Sequence, residues 1–321
     1  MRRTLAAVAL LATLFASSAC SSGAKADHAA PAGVKVDVGV IAIIDVAPIY
    51  LGKAKGFFAK RGIDLSLTAE QGGGPIVKGV IAGKYQFGFS NVTSLMAAQS
   101  DGAPLKAVAS GVASTGRAGR DFSAVVVRDG SPIHTAKDLV GKKIGVNILK
   151  NIGDTTVRQS VRKAGGDATD LKFQAIPFPQ MAGALRAGKV DAAWVVEPQL
   201  SEILTSGGNV VASNFVDTAA DLTVALYFTS QATIARDPKL VADFTDAIRE
   251  SLDYSAGHPE EVRDIVGTYA PINDTVRISM ILPSWPENIN RTSLEKVAQL
   301  GHKDGIFKKT PSLDELLPAS S

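Results

Sequence analysis

VDVGVIAIIDVAPIYLGKAKG, residues 36–56, carries two hydrophobic periods in succession. Val36 to Ile44 is β-branched and apolar, the composition of a strand buried on both faces in a parallel sheet. Ala47, Tyr50, Leu51 and Ala54 then recur at helical spacing, with Pro48 in the first turn and Gly56 just past the end. A buried strand feeding a helix is the opening half of a βαβ unit, and the chain repeats the figure. Ile63 to Thr68 reads as a second strand. Gly72-Gly73-Gly74-Pro75 leads into a short helix ending near Gly83, Gln86 to Phe89 is a strand, Asn91 to Gln99 a helix, and Leu105 to Ser110 a strand. Strands separated by helices imply right-handed crossovers on a parallel sheet.

The pattern then restarts. Phe122 to Arg128, Lys143 to Val146, Leu171 to Ile176, Ala192 to Val196 and Val210 to Ala212 read as strands. Between them, helices are predicted from about Gly153 to Ala164, from about Pro179 to Ala187, and after Glu197-Pro198. Leu222 to Thr229 is strand-like again, and from Pro238 the chain is mostly helical. The reading is α/β: two Rossmann-like lobes joined by two crossing strands, Phe122–Arg128 and Leu222–Thr229, with a helical C-terminal tail packed on the first lobe. Lobe I takes residues 34–121 plus 229–321, and lobe II takes 122–228 with the crossing strands.

The amino-terminal segment has a different logic. Arg2 and Arg3 precede a mostly apolar run, Leu5 to Ala16, then small residues and Cys20, the only cysteine among 321 residues. A run of roughly 12 residues is too short to span a bilayer, which needs ~20, and its flanks are those of a secretory signal. A lone thiol in an exported protein has no disulfide partner. Its position resembles a bacterial lipoprotein signal, so residues 1–19 are expected to be a signal peptide and Cys20 a lipidation site. Residues 20–33, small and polar, form the tether. This places the protein outside the cytoplasmic membrane, held by lipid. The charges, 34 Lys+Arg against 31 Asp+Glu, are nearly balanced once Arg2 and Arg3 leave with the leader, so nothing suggests a nucleic-acid partner.

Several segments together resemble one family. Pro48 to Phe58 followed by Arg61-Gly62-Ile63-Asp64-Leu65, the run Gly72 to Gly83, and Phe87-Gly88-Phe89-Ser90-Asn91 fit its first half. Asp138 to Val146 and Ala184 to Trp194 fit its second. The family is the substrate-binding proteins of ABC importers for nitrate, sulfonate, taurine and thiamine-precursor pyrimidines. The resemblance implies a periplasmic binding protein of type II: a monomer that captures a small polar solute between its lobes by hinge closure and delivers it to a membrane permease driven by an ATPase subunit. It implies no catalysis and no cofactor. The solute is a sulfonate or taurine-like compound or a nitrogen heterocycle such as a thiamine pyrimidine precursor. Two rivals stand beside it: a pyrimidine-synthesising enzyme of the same fold, whose members carry clustered cysteines, and a surface lipoprotein that binds another protein.

In open α/β sheets the ligand lies at strand carboxyl ends, where helix amino ends present free N–H groups. The candidate ligand-binding residues follow from that geometry. Asp45, Gly73, Gly74, Ser90 and Asn91 come from the first lobe; Asn147, Gly153, Asp154, Thr155, Trp194 and Glu197 come from the second. Each has a local alternative. Asp45, Ser90, Asn91 and Glu197 could cap helices, Gly73 and Gly74 could serve a turn, Asp154 could pair with Arg158, and Trp194 could fill the core. If Asp45, Asp154 and Glu197 face the cleft, an uncharged or amine-bearing ligand suits them better than an inorganic anion, with Trp194 as a stacking face. His28, His134, His258 and His302 are scattered, and no metal site is expected.

Overall fold

The computed structural model describes residues 33–318; the leader, Cys20 and the tether up to residue 32 lie outside the described residues. The first half runs β1 (Val34–Val40), α1 (Ala47–Ala54), β2 (Ile63–Ala69), α2 (Gly73–Ile81), β3 (Phe87–Asn91), α3 (Val92–Ser100) and β4 (Leu105–Ala113). The second contains β5 (Ser123–Val127), β6 (Lys143–Val146), α4 (Ile152–Lys163), β7 (Lys172–Ala175), α5 (Phe178–Arg186), β8 (Ala192–Val196), α6 (Gln199–Thr205), β9 (Asn209–Ala212) and α7 (Asn214–Thr218). Then come β10 (Thr223–Ser230), α8 (Gln231–Arg236), α9 (Pro238–Gly257), α10 (Pro259–Val266), α11 (Asp274–Ser279), α12 (Arg291–Lys303) and α13 (Leu313–Leu316).

Two five-stranded sheets result, ordered β2-β1-β3-β10-β4 and β7-β6-β8-β5-β9. They repeat one plan. In each, three parallel strands are followed by one antiparallel strand, β10 against β3 in the first and β5 against β8 in the second. Both sheets are therefore mixed, where simple strand–helix alternation predicts parallel ones. The inserted strand is in each case the first one laid down after the chain passes between sheets. Phe122–Arg128 and Leu222–Thr229, expected to make the crossings, form β5 wholly within the second sheet and β10 wholly within the first.

The helical tail packs on the first sheet, as an α/β sheet with one bare apolar face requires. Phe244 of α9 stacks on Phe87 of β3 with centroids 3.8 Å apart and lies against Phe58 and Tyr227. Such aromatic contacts add ~0.5–1.5 kcal/mol beyond the area they bury. Ser284 closes a bridge with Ala113 at the end of β4, fixing the tail beside the first crossing. Asp121 holds that crossing: its carboxylate accepts from Ser114 Oγ at 2.7 Å, the Thr115 N–H at 2.9 Å and the Phe122 N–H at 3.0 Å. Among the described residues, no helix is long and apolar enough to cross a membrane.

Candidate functional site

The carboxyl ends of β1, β3, β6 and β8 point at one another across the gap between the sheets. There lies a narrow cavity of about 20 Å³, space for roughly one water. Its walls come from both sides. The first sheet contributes Ile41, Ile43, Asp45, Phe89, Asn91, Val224 and Ala225; the second contributes Asn147, Ile152, Phe178, Trp194, Val196 and Phe215. The lobes are thus shut on each other. Wider hollows lie elsewhere, including one of about 250 Å³ beside Arg128 and Arg186. That one sits at the amino ends of β6 and β8, on the far side from the facing loops.

Four of the candidate residues meet in the cavity: Asp45, Asn91, Asn147 and Trp194. Asp45 sits in the single turn of 3-10 helix, Ile44–Val46, that joins β1 to α1, and is 3 % exposed. Its Oδ1 is buried without a partner. Burial pushes its carboxyl up to about 7, helped by the charge of Asp121 and opposed by its own backbone N–H. Asn91 spends its Oδ1 on the Ser94 N–H at 3.0 Å, capping α3. Asn147 reaches across to the Gln71 carbonyl with Nδ2 at 3.4 Å, leaving a buried, unpartnered Oδ1.

Trp194 is held by a buried polar chain. Its Nε1 donates to Ser123 Oγ at 2.9 Å, Ser123 donates to Asn214 Oδ1, and the Asn214 amide donates to Thr156 Oγ1. The indole therefore presents only apolar surface, next to Phe178 and Phe215 with centroids 5.4 and 6.1 Å away. Gly153 permits this placement: a Cβ there would sit 2.4 Å from the ring.

The other candidates do not line this cavity. Gly73 opens α2 directly over Ser90, where a Cβ would lie 2.1 Å from Ser90 Oγ, and Gly74 has open space around it. Ser90 donates to the Asn91 carbonyl. Thr155 donates to the Asn151 carbonyl inside α4. Asp154 accepts from the Lys150 N–H at 3.0 Å, bracing the loop before α4; burial raises its carboxyl to about 6. Arg158, four residues on, donates instead to the carbonyls of Ala168 and Thr169.

Glu197 does not line the cavity; it fastens the two sides together. Its carboxylate accepts from Ser201 N–H (3.0 Å), Ser201 Oγ (2.9 Å) and, across the gap, the N–H of Ile281 in the tail (3.0 Å). Its carbonyl accepts from the Ile44 N–H beside Asp45 at 3.1 Å. Burial again dominates, lifting its carboxyl to about 7. Further fastenings are Asn151 Nδ2 to Ser94 Oγ at 2.8 Å and the ion pair of Arg162 with Asp304. Gly72 makes the approach possible, because a Cβ there would lie 2.3 Å from the Ile148 side chain.

Sequence reasoning missed the aromatic walls Phe89, Phe178 and Phe215. Phe178 had a usable signal: it stands between Pro177 and Pro179, directly after a strand, in the same position as the polar candidates. The site has one carboxylate, two amides, helix amino ends at α1, α3, α4 and α5, and no lysine or arginine among its lining residues. Such a lining suits a flat molecule with N–H groups for Asp45 and Asn147 and acceptor atoms for the helix ends.

Comparison with known proteins agrees on the architecture. Residues 43–262 match the sequence model of the NMT1/THI5-like family. A 4-amino-5-hydroxymethyl-2-methylpyrimidine phosphate synthase of Candida albicans is 24 % identical over 241 residues, 71 % of this chain and 68 % of that protein. The riboflavin-binding protein RibY of Chloroflexus aurantiacus is 25 % identical over 296 residues, 90 % and 82 % of the two chains. Among solved structures, the alkanesulfonate-binding protein SsuA of Xanthomonas axonopodis pv. citri, bound to MOPS, superposes with a TM-score of 0.75 at 15 % identity. It covers 90 % of this chain and 98 % of its own. The last likeness establishes a periplasmic binding protein fold with two lobes.

Proposed function

The chain belongs to the NMT1/THI5-like family, and from that premise we propose that it is the extracytoplasmic solute receptor of an ABC importer, taking a small flat nitrogen heterocycle between its lobes. One observation carries the choice of solute. The closed cavity is walled by Phe89, Phe178, Trp194 and Phe215 around a buried, half-unpaired carboxylate, with no basic side chain among its lining residues. A sulfonate or nitrate would have to sit beside Asp45 without a counter-charge, whereas an amino-substituted ring gives Asp45 an N–H donor and offers its faces to the aromatics. Ring nitrogens and carbonyls can accept from the helix amino ends.

Capture follows from the hinge. Opening breaks the contacts of Glu197, Asn151 and Arg162 across the gap; closing restores them around the ring and removes it from water. A ligand that binds only the folded protein stabilises it by ~2.7 kcal/mol at a hundred times its Kd. A thermal-shift panel therefore tests the reading. 4-Amino-5-hydroxymethyl-2-methylpyrimidine or riboflavin should raise the Tm by several degrees, while taurine, an alkanesulfonate and nitrate leave it unchanged. The reverse order sinks the choice of solute.

A second reading has the synthase relatives in its favour. Incubation with a cell extract as the source of precursors, followed by mass spectrometry, separates the two: a synthase accumulates the pyrimidine phosphate for which those relatives are named, and a receptor forms none. Export and anchoring belong to the same proposal. The mature protein should start at Cys20 and carry acyl chains on that residue, a mass that intact-protein spectrometry of the membrane fraction reads directly. An unmodified Cys20 would remove the anchor and leave the receptor.

A further inference from the structure

Beside the inner cavity lies a second, half-open chamber of about 300 Å³. The two share a wall. Ile41 and Ile43 line the inner cavity and Ala42 lines the outer chamber; Phe178 lines the inner and Pro179 the outer. The wall has one half from each side of the gap, the Ile41–Ile43 segment from the end of β1 and the Phe178–Pro179 segment from the start of α5. Parting the lobes therefore opens the wall and merges the chambers. Closing them narrows the inner chamber and leaves the outer one beside it at the mouth.

The outer chamber has its own chemistry. Gln199 lines it, is 7 % exposed, and has a buried Oε1 without a partner. Glu202, Asn273 and Tyr269 also line it, and no lysine or arginine does. Asn273 already spends its Oδ1 on the Val276 N–H, and the Tyr269 hydroxyl donates to the Ile43 carbonyl at 3.0 Å, anchoring the wall itself. The acceptors facing a guest are Gln199 Oε1 and the Glu202 carboxylate, the latter shared with the hollow beside Arg128 and Arg186. They call for a donor, and Glu202 repels an anion.

We infer that the ligand is bipartite: a flat ring in the inner chamber carrying an uncharged hydroxylated or amine-bearing chain that reaches Gln199 and Glu202 in the outer one. This rests on the reading of the cleft as a ring-binding site. It also excludes the phosphate ester of such a molecule as the transported form, because its charge would lie against Glu202 with no cation among the lining residues.

Two ring series test it by isothermal titration. In the flavin series the probes are lumiflavin, riboflavin and flavin mononucleotide. In the pyrimidine series they are 4-amino-2,5-dimethylpyrimidine, its 5-hydroxymethyl analogue and the phosphate of that analogue. In whichever series binds, the hydroxylated member should exceed the bare ring by about tenfold, and the phosphate should bind weakest. Gln199→Leu should erase the tenfold advantage and leave the bare ring's affinity as it was. A bare ring that binds as tightly as the hydroxylated one, a phosphate that binds tightest, or a Gln199→Leu variant that weakens both members equally overturns the bipartite ligand while leaving the ring site standing. Failure of every ring in both series removes the ring site itself, and the chain subsite with it.

Discussion

Asp45→Asn should weaken binding of the preferred ring by ten- to a hundredfold, since a hydrogen bond to a charged group is worth ~1.5–3 kcal/mol. The same substitution should make the ligand-free protein more stable at pH 8. Burial holds the Asp45 carboxyl near 7, against 3.8 for an unburied aspartate. A carboxyl whose pKa is raised by folding contributes stability that is complete below its unfolded pKa and is lost as the pH climbs through the folded one. Between about pH 4 and 7, wild-type stability should therefore fall with rising pH, and Asp45→Asn should flatten part of that slope. Asp121, Asp154 and Glu197 are raised in the same direction and keep the remainder. Denaturant melts at pH 5 and pH 8 with paired titrations measure both effects. Unchanged affinity, or an unchanged slope, contradicts the role given to Asp45. A protein that keeps a partly unpaired carboxylate buried accepts lower stability at that site, and the ligand's N–H removes the deficit on binding.

Glu197→Ala should lower stability by ~2–4 kcal/mol, because it strands the buried N–H groups of Ser201 and Ile281 together. It should also cost about tenfold in ligand affinity, although Glu197 touches no part of the cavity. The link is closure: Glu197 receives the Ile44 N–H on its carbonyl and the Ile281 N–H on its carboxylate, so it bonds to both flanks of the opposite side. Glu197→Gln keeps an acceptor oxygen toward Ile281 and should retain most of the affinity. Urea denaturation reads the first effect and calorimetry the second. If Glu197→Ala loses stability yet binds the ring as tightly as wild type, the residue is a helix cap for α6 and nothing more.

Much of the frame was legible in the sequence because burial dictates it locally. The apolar run from Val36 does supply the buried part of β1, although the strand stops at Val40 and Ile44 already enters the 3-10 turn; Pro48 and Gly56 delimit the helix after it. The strand order was not legible, because β10 slots between β3 and β4 through contacts with residues more than a hundred positions away. The polar part of the site followed from one rule, that small polar residues at strand ends face the gap, and Asp45, Asn91, Asn147 and Trp194 do line it. The same rule also picked Ser90, Thr155 and Asp154, which do not line it: Ser90 and Thr155 donate to nearby carbonyls, and Asp154 accepts from the Lys150 N–H with one carboxylate oxygen and leaves the other buried without a partner. It could not find Phe215, since a pocket wall and a core residue have the same composition; Phe178 was marked only by the prolines on either side of it. Glu197 shows the limit most plainly: its partner Ile281 lies 84 residues away, and no local pattern connects them.

The central claim is that the lobes close on a flat nitrogen-bearing ring lying against Trp194. In Trp285→Phe, Trp194 becomes the only tryptophan, so its emission reports the cavity alone. Titration with 4-amino-5-hydroxymethyl-2-methylpyrimidine or riboflavin should quench and saturate that emission at stoichiometric ligand, and a large excess of taurine or nitrate should leave it untouched. Saturable quenching by the anions, with none by either ring, would contradict the account.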